Sequence, residues 1–95
     1  MFRRKSTDKK FAELGFVKVS ESYYGVTYER EVEQPNFTQV IQLKHRPDDK
    51  HIIQSYDKNL FDVENIGNTC VGLSVYEAKL CIKKMKEMGW EIQKK

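Results

Sequence analysis

The fold turns on the reading of "YYGVTYEREV", residues 23–32. Tyr24, Val26, Tyr28 and Val32 fall on one side of an extended chain, and Thr27, Glu29 and Glu31 on the other. Side chains alternate across a strand, so this period of two predicts a strand with one buried and one wet face. Gly25, beside Tyr24, marks a bulge or turn.

Outward from that stretch, "EQPN" (residues 33–36) breaks the pattern with Pro35 and Asn36. "FTQVIQLKH" (37–45) then resumes it with Phe37, Ile41 and Leu43 on one face. "FVKV" (16–19) precedes and "HIIQSYD" (51–57) follows, both extended in character. Residues 16–57 therefore read as a four-stranded antiparallel meander joined by short turns.

A helix is expected on either side. Ser6 or Thr7 caps the first, Phe11, Leu14 and Ala12 sit at helical spacing, and Gly15 stops it in the left-handed conformation. The second starts at "LSVYEAK" (73–79), where Ser74 and Glu77 form a capping box and Leu73 with Ala78 a hydrophobic staple. Ala78, Cys81, Ile82, Met85 and Met88 make its apolar stripe, which the reading lays on the sheet, and Gly89 with Trp90 supplies a Schellman stop in which Trp90 covers the last turn. "KKFAELGFVKV" and "KKMKEMGWEIQ" share an order of residue types; both obey one helix-stop rule and nothing else repeats, so the likeness is read as shared capping. It also suggests a short C-terminal edge strand at "WEIQ" (90–93). The fold class is α+β, one domain over residues 1–95, order α-β-β-β-β-α, both helices on one face of the meander and residues 1–5 and 93–95 frayed.

"KHRPDDKHII" (44–53) places two histidines and two aspartates within seven residues. Pro47 suits the second position of a type I turn, and Asp48 and Asp49 bond their own backbone in turns. Whether His45 and His51 share a face depends on a loop of four, five or six residues, a register the sequence leaves open. A metal-dependent site at His45, Asp48 and His51 would need a shared face and further ligands, so the stretch is read as a turn and neither metal nor cofactor is expected.

Composition sets the outer bounds. The 95 residues are 39% hydrophobic and 33% charged, too apolar for disorder, too polar for a membrane protein and enough for a modest core. No apolar run follows the basic start, so a cytoplasmic protein without membrane contact is expected. Cys70 and Cys81 are read as reduced, largely buried thiols. The five glycines form no phosphate cradle, and no serine or cysteine sits in a nucleophile motif, so enzyme activity is not expected.

Three surfaces remain. Tyr76 and Leu80, four apart, lie on the side of the last helix away from Met85, and with Phe61 from the 59–73 connection they form the expected protein-binding surface. Lys79, Lys83 and Lys86 align along one side of that helix and offer an alternative, nucleic-acid binding, against the plainer reading of a solvated lysine face. Tyr23, Tyr24, Tyr28 and Tyr56 are candidates for the sheet face the helices leave open.

"YYGVTYER", "HIIQSYDK" and "GLSVYEAKL", with the closing "KKMKEMGW", give the run from Phe11 to Trp90 a resemblance to small uncharacterised proteins of phages, prophages and mobile elements of low-GC Gram-positive bacteria. The resemblance implies an accessory protein directed at the host or at phage DNA and carries no site residue with it. The expected function is that of a non-enzymatic protein-binding accessory factor of unknown partner, with self-association or a host protein both open.

Overall fold

The computed structural model describes residues 6–32, 37–59 and 70–92. The "EQPN" break, the termini 1–5 and 93–95, Phe61 and the rest of 60–69 lie outside the described residues. Six elements follow the expected order: α1 (Thr7–Glu13), β1 (Val17–Ser22), β2 (Gly25–Glu31), β3 (Thr38–Lys44), β4 (Ile52–Asp57) and α2 (Val75–Glu87). The strands form one antiparallel sheet in sequence order.

Local chemistry fixes the helix ends. Ser6 caps α1 by accepting the Lys9 N–H at 3.1 Å. Ser74 caps α2 in a complete capping box, its hydroxyl accepting the Glu77 N–H at 3.0 Å while Glu77 Oε1 accepts the Ser74 N–H at 2.9 Å. Both helices end in the same Schellman arrangement. The Phe16 N–H reaches the Phe11 carbonyl and the Trp90 N–H that of Met85, around Gly15 at φ 94° and Gly89 at φ 79°.

The register sets two faces. The rows Glu21–Val26–Leu43–Ile53 and Lys18–Tyr28–Ile41–Ser55 turn toward the helices, and Ser20–Thr27–Gln42–Gln54 and Val17–Glu29–Val40–Tyr56 turn away. Between sheet and helices lie Phe11, Phe16, Val26, Tyr28, Ile41, Leu43, Leu80, Cys81, Met85 and Trp90, with the Phe11 and Tyr28 rings stacked at 4.1 Å.

Several expectations are corrected. Leu80, expected on the outside of α2, is 3% exposed and core, while Ile82, placed in the apolar stripe, is 41% exposed. The buried arc of α2 is Glu77, Leu80, Cys81, Lys84 and Met85. At ~100° per residue it is rotated by roughly 70° from the expected stripe. The rotation puts two charged side chains inside, and each has a partner there. Glu77 meets Arg30, and Lys84 meets Asp8 and Glu21.

Tyr24 belongs to the β1–β2 turn and not to β2, so of the two readings of Gly25 the turn holds and the bulge does not; the irregularity in pairing lies between Lys18 and Ser20. A Cβ on Gly25 would come within 3.1 Å of the Leu43 carbonyl oxygen, so close strand approach accounts for that glycine. The β3–β4 connection spans residues 45–51, longer than expected, since Lys44 pairs with Ile52. Cys70 is exposed and bridges Tyr56 beside β4. Residues 90–92 form no strand; hydrogen bonds tie them to two turns instead.

Candidate functional site

The solvent face of α2 begins with two large apolar side chains on its first turn, Val75 at 73% and Tyr76 at 50% exposure. Lys79 and Lys86 are exposed and Lys83 half-buried on the same side. Tyr76 and the three lysines thus stand where the sequence put them, and Leu80 does not. Tyr76, four residues before it, stays outside because the buried arc ends between the two.

The two histidines do share a face. Their rings lie 4.7 Å apart, with the Trp90 ring 5.2 Å from His45 and 5.0 Å from His51. His51 Nδ1 accepts the Arg46 backbone N–H at 3.0 Å. A backbone N–H only donates, so Nδ1 is unprotonated and Nε2 carries the hydrogen, donating to the Glu91 carbonyl at 2.8 Å. Neither nitrogen of His51 has a lone pair left for a metal in this arrangement. Asp48 accepts the Lys50 N–H at 3.1 Å, which holds its carboxyl below the usual range, and the Asp49 N–H closes the turn on the Arg46 carbonyl. Among the described residues no group of three His, Cys, Asp or Glu side chains is placed to hold a metal ion. The cluster is a clasp: Trp90 Nε1 donates to the Tyr23 carbonyl at 2.8 Å, so the end of α2 is tied to the β1–β2 and β3–β4 turns together.

A second polar cluster lies between α1, β1 and α2. Asp8 accepts from Tyr28 at 2.6 Å, from Lys18 at 2.8 Å and from Lys84 at 3.2 Å, and both lysines also reach Glu21 at 2.9 Å. Burial pushes the Asp8 carboxyl up, but the hydrogen bonds from Lys18, Tyr28 and Lys84 outweigh it and bring it down to about 2. Burial, with Asp8 beside the hydroxyl, pushes Tyr28 well up, and burial drives the Cys81 thiol to about 12. A phenol and a thiol shifted this way stay protonated at neutral pH, which suits core groups and not nucleophiles. Arg30 completes the polar interior, donating to Gln39 at 2.6 Å, to the Leu14 carbonyl at 3.1 Å and to Glu77 at 3.2 Å while lying 4.3 Å over the Phe16 ring.

Sequence reasoning misses this interior, because none of its ion pairs joins residues on one helix. The clasp leaves one signal in the sequence, an aromatic directly after the Gly89 stop, and covering the last turn of α2 is only part of what that residue does. No protein-family model, curated protein or solved structure matches the chain.

Proposed function

We propose that this chain is a non-enzymatic binding domain that engages an acidic surface of a partner protein through the solvent face of α2. The observation that carries the reading is the first turn of that helix. A valine and a tyrosine stand exposed at the start of a doubly capped helix, beside lysines that extend along the same side. Tyrosine on a rigid element suits an interface anchor, and a rim of lysines steers acidic partners toward it. With Leu80 inside the core, the anchor is Val75 with Tyr76. An accessory role in a phage or mobile element is in keeping with the sequence resemblance. No helix among the described residues is long and apolar enough to cross a membrane.

The second reading is nucleic-acid binding by Lys79, Lys83 and Lys86, favoured by their alignment on the exposed side of α2. Capture from extracts of the native host separates the two. If a protein partner is held by α2, the double variant Val75→Ser, Tyr76→Ser loses the captured protein with an unchanged circular dichroism spectrum, and nuclease treatment leaves wild-type capture intact. Capture that survives the double variant but disappears with Lys79→Glu, Lys83→Glu, Lys86→Glu or with nuclease overturns the first reading in favour of the second.

A further inference from the structure

We infer that the sheet face turned away from the helices carries a second binding site, for single-stranded nucleic acid, at the end of the sheet bounded by the β1–β2 and β3–β4 turns. A shallow groove of about 480 Å³ lies there, with Tyr24 at its rim, Lys44 and Arg46 along one side and the cross-strand pair Gln42 and Gln54 in its floor. That volume suits one or two nucleotides and no large ligand.

Charge identifies the occupant. Among the described residues, none that lines this groove is acidic, whereas the lining at the other end of the same face carries Glu29 and Glu31 with a single lysine, Lys58, paired to Glu29 at 3.4 Å. The face is therefore polarised along its strands, positive where the groove lies. Two cations would also suit an acidic peptide. The remaining chemistry favours a nucleic acid. Tyr24 is 72% exposed and offers a ring on which a base can stack. Two facing amides supply both donors and acceptors, which base edges need and carboxylates do not. Stacking on a protein ring requires an unpaired base, so the ligand is single-stranded and not duplex.

The site lies on the opposite side of the sheet from α2, so it goes beyond the proposed protein contact and stands or falls apart from it. Tyr24 is a candidate for the open face on sequence grounds too, though the structure sets it in the turn at the end of that face and not within a strand.

The test is fluorescence anisotropy of the full chain with a labelled oligothymidylate, its duplex with oligoadenylate, and a labelled polyglutamate peptide. Expected is binding of the single strand over both other probes, about tenfold weaker in Tyr24→Ala, as for a base stack removed. In Lys44→Glu and Arg46→Glu the salt slope should flatten by roughly 0.7 for each phosphate no longer neutralised. Lys79→Gln, Lys83→Gln, Lys86→Gln tests the competing surface of α2 and should keep the preference for the single strand and its dependence on Tyr24. Circular dichroism checks that each variant is folded; Tyr24, Lys44, Arg46, Lys79 and Lys86 are exposed and Lys83 is half-buried. No binding of the single strand, equal binding of polyglutamate, or a loss confined to the α2 variant each overturns the inference.

Discussion

A lysine in a helix is expected to face water, and Lys84 does not. Its side chain is 9% exposed because Asp8 and Glu21 receive its ammonium, an arrangement that lets a charge enter the interior without standing alone. Leu80 is its apolar counterpart, expected at the surface from the sequence and found in the core at 3% exposure. Leu80→Ala should therefore cost about 2–5 kcal/mol, the range for a leucine removed from a packed interior. Chemical denaturation checks it. A loss within the small range of ordinary surface substitutions would return Leu80 to the surface and restore it as an anchor.

At the scale of elements, the two helices end by one motif but in different surroundings. Gly89 has open space where a Cβ would go, so Gly89→Ala meets only the left-handed backbone penalty of about 1–2 kcal/mol. At Gly15 the Cβ would lie 3.3 Å from Arg30 Cδ, and that arginine is held by Leu14, Gln39 and Glu77. Gly15→Ala should lower the urea midpoint more than Gly89→Ala. Equal losses would mean that Arg30 yields freely. The caps, stops and strand alternation are all legible in the sequence because each depends on residues within one turn or one strand. The face that α2 buries is not, because Glu77 and Lys84 read as polar until Arg30, Asp8 and Glu21 are brought to them.

At the scale of the whole molecule, the Asp8 cluster joins α1, β1, β2 and α2, and its ionisation reports on that assembly. The Asp8 carboxyl sits at about 2 in the fold against an ordinary 3.8. A carboxylate lowered by folding stabilises the native state fully above the unfolded value and loses that contribution as pH falls through the folded one. Stability should therefore fall between pH ~4 and ~2, and Asp8→Asn should flatten this part of the profile. Urea midpoints across that range measure it. An unchanged slope in Asp8→Asn would place the acid sensitivity elsewhere, with Glu21, also lowered by Lys18, the next residue to substitute.

The sequence by itself determined the element order, the antiparallel meander, both helix starts and both helix stops, because backbone hydrogen bonding and side-chain alternation act over a few neighbouring residues. Tertiary structure alone decided which arc of α2 is buried, that His45 and His51 meet beside Trp90 with both His51 nitrogens engaged, and that no acidic residue among the described ones lines the groove on the sheet face turned away from the helices. The buried arc and the Trp90 contact depend on partners distant in the chain, 47 positions apart for Arg30 and Glu77 and 67 for Tyr23 and Trp90, so no local window of sequence contains both halves. His45 and His51 are near in sequence, but the register that brings them together is set by the pairing of β3 with β4.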